Sequence, residues 1–180
     1  MISLSGKIWT QQKINKNLVE KAKQDYGLGD FLSQLIISRN YDISEIYGIH
    51  NNQKLTNIFK DDKDYEKASL ILLNSINNNE NICILGDYDV DGACATSLLV
   101  RYFIYINQKH FFYIPDRVED GYGASKKLFQ KLILKKPKLV IMVDCGSTSN
   151  EAIDYLNKHN IRSIIIDHHE INKPYPKSDA

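Results

Sequence analysis

Short apolar runs alternate with longer stretches of helical periodicity in the second half of the chain. Apolar residues occupy nearly every position of four runs, at residues 82–85, 111–114, 139–143 and 163–166. Such runs are typical of strands that are buried on both faces of a sheet, and helical stretches between them are typical of crossover connections. The pattern predicts four β-α units beginning at Asn81, in a parallel sheet that helices cover on its faces.

The first half of the chain has helical periodicity without apolar runs of this kind. Short helical pieces are predicted between Lys16 and Lys60, followed by a longer helix over residues 62–77. The complete pattern predicts the α/β fold class, as a Rossmann-like parallel sheet flanked by helices and preceded by a helical amino-terminal extension. We predict that the extension covers residues 1–78. The α/β domain is predicted over residues 79–180 and is expected to be incomplete at its C-terminus.

Composition places the chain among globular proteins, because 43% of its 180 residues are hydrophobic and 25% are charged. The first residues contain no central apolar stretch, so no signal peptide or membrane span is predicted, and a cytoplasmic location without a membrane partner is expected. The three cysteines lack C-x-x-C spacing, which disfavours a disulfide framework or a structural zinc site. The net charge is only +1, so nucleic-acid binding would depend on local patches.

Acidic residues and histidines follow three of the four predicted strands. Residues 86–92 read Gly-Asp-Tyr-Asp-Val-Asp-Gly after the first strand, residues 144–147 read Asp-Cys-Gly-Ser after the third, and residues 167–170 read Asp-His-His-Glu after the fourth. The carboxyl ends of parallel strands meet at one edge of a sheet, where open α/β folds place their ligands. Clusters that are distant in sequence are therefore expected to converge in space.

Such convergence would bring several carboxylates and imidazoles together, and this predicts bound divalent metal. Neighbouring carboxylates repel and raise each other's pKa unless a cation neutralises them. Oxygen and imidazole ligands without thiolates suit Mn²⁺ or Mg²⁺ better than structural Zn²⁺. Two such ions roughly 3.5–4 Å apart would hold a phosphate and lower the pKa of a water molecule. The chemistry predicted from the residues is phosphoester hydrolysis.

Each cluster also has an ordinary structural interpretation. Asp89 or Asp91 could cap the helix that follows, and Asp144 stands in an ordinary turn sequence after a strand. Residues 87–92 match the start of an EF-hand loop, but Leu98 stands where that loop requires Glu. Adjacent histidines at a strand end are less ordinary, since one could bind metal while the other hydrogen-bonds or donates a proton. The three clusters together favour the metal site.

The three clusters resemble, in order and spacing, the first three motifs of the DHH phosphoesterase superfamily. Within it, residues 86–92 and 167–170, together with residues 114–117 (Ile-Pro-Asp-Arg) and 121–123 (Gly-Tyr-Gly), are most similar to RecJ-type single-strand exonucleases. The resemblance implies 5′-to-3′ degradation of single-stranded DNA in recombination and repair. It implies two ions of Mn²⁺ or Mg²⁺ as cofactors, and it is compatible with repair or single-strand-binding proteins as partners.

The resemblance also implies roles for individual residues. Asp167 would orient the two histidines, and His169 would contact a phosphate or donate a proton. Cys145 departs from the family pattern, in which many relatives carry Asn, and we expect the metal site to tolerate it. The implied metal ligands are Asp89, Asp91, Asp144 and His168, with Asp87 as a ligand or as a supporting carboxylate.

Contacts with the substrate are predicted in the loop after the second strand. Arg117 could hold a terminal or scissile phosphate, and an ion pair at the surface is the alternative. Tyr122 could stack on a base, and packing against its own loop is the alternative. Lys127, Lys131 and Lys135 repeat every four residues, which is typical of a solvated helix face.

Other functions are compatible with the same motifs. A phosphoesterase of the same superfamily could act on short oligonucleotides, cyclic dinucleotides or pyrophosphate. An inactive relative could bind single strands without cleaving them, although such a protein is expected to have lost its ligands. The resemblance to the RecJ-type family implies a fourth Asp motif and further DNA-binding domains beyond residue 180. We therefore expect the isolated 180 residues to bind metal weakly and to cleave poorly.

Overall fold

A computed structural model of the protein describes residues 4–8, 10, 13–41, 57, 59–121, 123–171 and 173–180. The chain divides into two compact units, Met1–Ile58 and Phe59–Ala180. Within the described residues, no helix has the length and apolar character needed to cross a membrane.

In the unit Met1–Ile58, the described residues form two helices, α1 (Lys16–Tyr26) and α2 (Asp30–Ser38). The side chain of Asn15 caps α1 by accepting hydrogen bonds from two backbone amides of its first turn. Gly27 ends the helix in the left-handed conformation, with φ 64°. The predicted helical pieces between residues 42 and 56 lie outside the described residues.

The unit Phe59–Ala180 alternates helices and strands, as the hydrophobic pattern predicts. Both central strands have the predicted limits, because they are apolar at every position and buried along their whole length. The elements in order are α3 (Lys63–Asn77), β1 (Ile82–Leu85), α4 (Val90–Tyr105), β2 (His110–Tyr113), α5 (Lys126–Leu132) with a 3₁₀ turn (Ile133–Lys135), β3 (Leu139–Val143), α6 (Asn150–Lys158) and β4 (Arg162–Ile166).

The four strands form one parallel sheet in the order β2-β1-β3-β4. The connection after β1 leads outward to β2, and the next connection crosses back over β1 to β3. The connection from β1 leads to one side of the sheet and the connection from β3 leads to the other side. The sheet therefore has its switch point between β1 and β3. The carboxyl ends of these two strands therefore border the crevice in which open α/β folds bind ligands.

Apolar side chains on both faces of the sheet form the core. On one face, residues of β1 and β3 pack with Leu128 and Phe129 of α5 and with Ile153 of α6. On the other face, alternate residues of the same strands pack with α4 and α3, and Phe103 of α4 is fully buried. A sheet covered on both faces confirms the predicted Rossmann-like α/β class.

Helix α3 packs against the sheet through Ala68, Ile71, Leu72 and Ile76. The sequence assigns this helix to the amino-terminal extension, whereas in the structure it lies in the unit Phe59–Ala180. The domain limits at residues 78 and 79 remain a prediction about the family domain.

In the predicted fourth β-α unit, the described residues form the strand β4. Among the described residues after β4, the chain forms no helix and instead returns along the strand. The Ala180 carbonyl accepts a hydrogen bond from Ile165 N at 2.9 Å, and Ala180 N donates to the Ser163 carbonyl at 3.3 Å. This segment therefore covers part of the β4 edge.

Candidate metal centre

The loop between β1 and α4 places two carboxylates beside the start of a helix. Asp87 is buried, and Asp89 is the N-cap of α4, with its Oδ1 accepting a hydrogen bond from Gly92 N at 3.0 Å. This hydrogen bond, above all, lowers the pKa of Asp89, so the carboxylate stays ionised. Helix α4 begins at Val90, so Asp89 is the cap, as one of the two possibilities considered from the sequence has it.

Gly92 allows this loop to fold tightly. A Cβ atom at this position would lie 2.6 Å from the backbone nitrogen of Asp87 and 2.5 Å from its carbonyl oxygen. No larger residue fits without moving the backbone, so Gly92 fixes how closely Asp87 approaches the first turn of α4. The sequence shows this glycine, but the contact depends on the folded path of the loop.

Asp144 directly follows β3 and lies between the other two clusters. Its backbone has φ 59°, in the left-handed region that Asp tolerates better than most residues. Burial raises the pKa of Asp144, and its close approach to Asp89 raises it further. Oδ1 of Asp144 lies 3.1 Å from Nε2 of His168, so this carboxylate contacts both neighbouring clusters.

Asp167 orients His169. Its Oδ1 accepts hydrogen bonds from Nδ1 of His169 at 2.6 Å and from the His169 backbone at 3.2 Å, while Oδ2 accepts one from Ser147 N at 3.0 Å. Burial alone would raise the pKa of Asp167, but these hydrogen bonds outweigh it and lower the pKa to about 2. The bond from Asp167 in turn raises the pKa of His169.

Two groups of side chains could each hold a cation, and they share Asp144. The ligand atoms of Asp87, Asp89 and Asp144 all lie within 4.8 Å of one another, and so do those of Asp144, His168 and His169. Asp87 Oδ1 and Asp144 Oδ2 are buried and accept no hydrogen bond from the described part of the chain. Because a buried carboxylate oxygen without a partner is costly, this donor set fits a divalent cation.

The predicted ligands do not all join these groups. Asp91 is exposed in the first turn of α4, and among the described residues it belongs to neither group. His169 belongs to one of them, although the sequence gives it a role at the phosphate. Cys145 takes no part, because burial raises its pKa to about 12 and keeps it a neutral thiol. The individual roles remain predictions.

Of the two predicted substrate contacts, the structure describes Arg117, which lies beside the loop that follows β1. Arg117 stands over the ring of Tyr88, with its Cζ 5.2 Å from the ring centroid, and Tyr88 lies between Asp87 and Asp89. Among the described residues Arg117 makes this cation-π contact and no ion pair, and its role remains a prediction. Tyr122 lies outside the described residues.

A cavity of about 250 Å³ adjoins Asp167 and His169. Its wall includes residues 145–149, which lead from β3 into the first turn of α6. Ser147 was not predicted as a site residue, yet its backbone amide holds Asp167. Little in the sequence indicates this role, since Ser after Gly is common in any turn.

Sequence reasoning also missed Asp120. Its carboxylate is buried and accepts hydrogen bonds from the Tyr113 hydroxyl at 2.6 Å and from Lys131 Nζ at 2.8 Å. Of the three lysines predicted to form a solvated helix face, Lys131 makes an ion pair with Asp120. Lys135 places its Nζ over the ring of Phe111. An Asp within the polar stretch 116–120 carries no sequence signal that separates a buried carboxylate from a solvated one.

Comparison with known proteins relates this site to one family. The sequence profile of the DHH family, N-terminal domain, matches residues 81–180, which contain all three clusters. The single-stranded-DNA-specific exonuclease RecJ of Bacillus subtilis (strain 168) is 26% identical over 93% of this chain, and that of Escherichia coli (strain K12) is 32% identical over 64%. This chain spans 22% and 20% of the length of those two proteins.

Solved structures agree with the sequence comparison. A crystal structure of exonuclease RecJ bound to manganese aligns over 64% of this chain with a TM-score of 0.60 and 30% identity. RecJ from Thermus thermophilus in complex with Mn²⁺ aligns over 91% with a TM-score of 0.62 and 21% identity, which supports the fold. The resemblance stated from the motifs is confirmed, and the chain belongs to the DHH family.

Proposed function

We propose that this chain forms the metal-binding part of a single-strand-specific DNA exonuclease that hydrolyses phosphodiester bonds. The observation that carries the proposal is the convergence of carboxylates and histidines from three strand ends into two groups that share Asp144. The RecJ relatives support the choice of single-stranded DNA as substrate and of Mn²⁺ or Mg²⁺ as cofactor. Action from the 5′ end in recombination and repair, a cytoplasmic location and contacts with repair proteins belong to the same proposal.

Asp87, Asp89, Asp144 and His168 would hold two divalent cations, and Asp91, which lies outside both groups, would join them only if its side chain turned towards the site. Such cations supply Lewis acidity at the phosphate and lower the pKa of a water molecule. The chain contributes a fixed arrangement of donors, since Gly92 holds Asp87 and Asp89 together and Asp144 bridges to the histidines. Preorganised donors need little rearrangement when substrate binds.

His169 would hold a proton at the phosphate. Asp167 accepts the hydrogen on Nδ1, so the ring orientation is fixed and a protonated ring carries its other hydrogen on Nε2. The raised pKa of His169 keeps that proton to higher pH than in an ordinary histidine. Nε2 is then suited to donate to a phosphate oxygen or to the departing oxygen.

Arg117 would contact the phosphate at the strand end, and Tyr122 would stack on a base. A guanidinium can bind a phosphate through two parallel hydrogen bonds, and Tyr88 keeps that of Arg117 beside the acidic loop. The cavity next to His169 offers room for another part of the nucleotide.

The proposal is tested with the 180-residue protein and Mn²⁺ on a single-stranded oligonucleotide, its duplex and a dinucleotide. We expect slow release of mononucleotides from the single strand and no release after chelation by EDTA. Phosphorothioate linkages at the 5′ end should protect the strand, whereas the same linkages at the 3′ end should not. Preference for the dinucleotide would favour the other phosphoesterase function.

Variants separate catalysis from binding. Asp89→Asn should abolish cleavage, while Asp154→Asn, a matched change of an exposed carboxylate on α6, should leave it unchanged. Cleavage that survives Asp89→Asn would overturn the assignment of the site. Single-strand binding without any Mn²⁺-dependent cleavage would instead favour an inactive relative.

A further inference from the structure

The buried carboxylate of Asp120 connects the end of β2 with the turn that follows it and with helix α5. Oδ2 of Asp120 accepts hydrogen bonds from the Tyr113 hydroxyl at 2.6 Å and from Asp116 N at 3.2 Å. Oδ1 accepts a hydrogen bond from Lys131 Nζ at 2.8 Å, and the Asp120 side chain is only 2% exposed. Asp120 therefore connects the end of β2, the turn that follows it and helix α5.

The turn between Asp116 and Asp120 is fixed from both ends. Asp116 Oδ1 accepts hydrogen bonds from Val118 N at 2.8 Å and from Glu119 N at 3.0 Å. Asp120 N donates to the Asp116 carbonyl at 2.9 Å, which closes the turn. Arg117 lies inside this closed turn, so its backbone position depends on the two aspartates.

The side chain of Arg117 links the turn to the metal-binding loop. Its guanidinium stands over Tyr88, whose neighbours in the chain are Asp87 and Asp89. A continuous series of contacts thus leads from Asp120 through the turn and Arg117 to the acidic loop. No residue between Asp116 and Asp120 other than Arg117 carries a cation.

We propose that Asp120 is a positioning residue for Arg117. Its carboxylate fixes the turn so that the guanidinium lies beside the acidic loop, where it would be available to the terminal phosphate of a strand. The phosphate contact rests on the function proposed above, whereas the placement of Arg117 by Asp120 does not. The two parts can therefore be tested separately.

Substitutions of Asp120 should have graded effects. Asp120→Ala removes the acceptor for both Tyr113 and Lys131, so the turn loses its connection to β2 and α5. Asp120→Asn keeps one oxygen that can accept from Tyr113 and Asp116 N, and it loses the ionic bond to Lys131. The conservative variant should therefore retain most of the placement.

Nuclear magnetic resonance tests the placement without substrate. The ring of Tyr88 should shift the proton resonances of the Arg117 side chain upfield. The size of this ring-current shift is the difference between the unsubstituted protein and Tyr88→Leu. We expect Asp120→Ala to abolish that shift, Asp120→Asn to retain most of it, and Glu119→Ala, a change of the exposed neighbour, to leave it unchanged. If Asp120→Ala does not fold, Tyr113→Phe replaces it and should reduce the shift.

Oligonucleotide affinity tests the consequence at the phosphate. The quantity measured is the ratio of dissociation constants for 5′-hydroxyl and 5′-phosphorylated single strands. Arg117→Ala and Asp120→Ala should each lower that ratio about tenfold, the range expected for a lost charge-assisted hydrogen bond. The double variant should show no further loss, because Asp120 acts through Arg117.

The outcomes are distinguishable. A ring-current shift that survives both Asp120→Ala and Tyr113→Phe overturns the positioning role, as does an additive loss in the double variant. A shift that responds as expected while Arg117→Ala leaves the affinity ratio unchanged supports the positioning role. That result would contradict only the phosphate contact in the proposed function.

Discussion

Asp144 combines a place in both candidate ligand groups with an uncommon backbone conformation. Its φ of 59° lies in the left-handed region, which Asp and Asn adopt more readily than other residues with side chains. Asn tolerates the same backbone region, so a change from Asp to Asn separates the charge from the conformation.

Asp144→Asn should lower the affinity for Mn²⁺ at least tenfold, because both ligand groups lose a shared charged donor. The circular dichroism spectrum should remain that of the unsubstituted protein. Isothermal titration with Mn²⁺ measures the change, and Asp154→Asn on α6 is the control. Unchanged affinity in Asp144→Asn would show that the two groups do not depend on this residue.

Asp120 gives stability a predictable dependence on pH. The hydrogen bond from Lys131, and then that from Tyr113, lower the pKa of Asp120 to about 2. A depressed folded-state pKa means that the contribution to stability is present above the unfolded value of about 3.9. It is lost as the pH falls towards 2, where the folded carboxylate gains its proton.

The free energy of unfolding should therefore differ between the unsubstituted protein and Asp120→Asn at pH 7. That difference should shrink steadily as the pH falls from about 4 towards 2. Urea unfolding followed by circular dichroism at several pH values provides the measurement. A difference that stays constant across this range would mean that the charge of Asp120 contributes nothing.

At the scale of an element, helix α4 depends on how its first turn meets the loop. Gly92 lies in that first turn, against the backbone of Asp87, and its amide is the donor to Asp89. One glycine therefore serves both the packing and the cap of the helix. A Cβ atom at this position would overlap the backbone of Asp87, and rearranging side chains cannot remove that overlap.

Gly92→Ala should destabilise the protein by about 1–3 kcal/mol, the usual cost of forced overpacking, although Ala favours helices more than Gly does. It should also weaken Mn²⁺ binding, since Asp87 and Asp89 move apart. Thermal unfolding and Mn²⁺ titration measure the two effects. Ser97→Ala, in the exposed middle of the same helix, is the control. A more stable Gly92→Ala would contradict the close approach.

The elements and the convergence of the clusters could be predicted, whereas several side-chain contacts could not. Strands β1 and β3 are apolar throughout, and parallel topology alone brings residues 87–89, 144 and 168 to one edge. The position of Asp91 outside both groups depends on the rotation of the first turn of α4. The burial of Asp120 depends on Tyr113 and Lys131, which sequence spacing does not relate to it.

At the scale of the whole molecule, both ligand groups lie in the unit Phe59–Ala180. The helices α1 and α2 of the other unit have their own small core, centred on Ala22, Leu28 and Ile36. No ligand of either group comes from that unit in the part of the chain that the structure describes. Metal binding should therefore need only the second unit.

Residues 59–180, produced alone, should bind Mn²⁺ with an affinity within about threefold of that of the 180-residue protein. They should also unfold in one cooperative urea transition, because the sheet and both of its helical layers lie within this range. Isothermal titration and circular dichroism provide the two measurements. A tenfold weaker affinity would show that the first unit contributes to the site.

The strand order also has a consequence for how the protein folds. Strand β1 pairs with β3, and residues 86–138 form the long connection that this pairing has to close. During synthesis, the acidic cluster at residues 86–92 leaves the ribosome before the one at residues 144–147. Pairing between strands that are distant in sequence is also slow. A cation bound by the two ligand groups would therefore be captured late in folding, once β1 and β3 have paired.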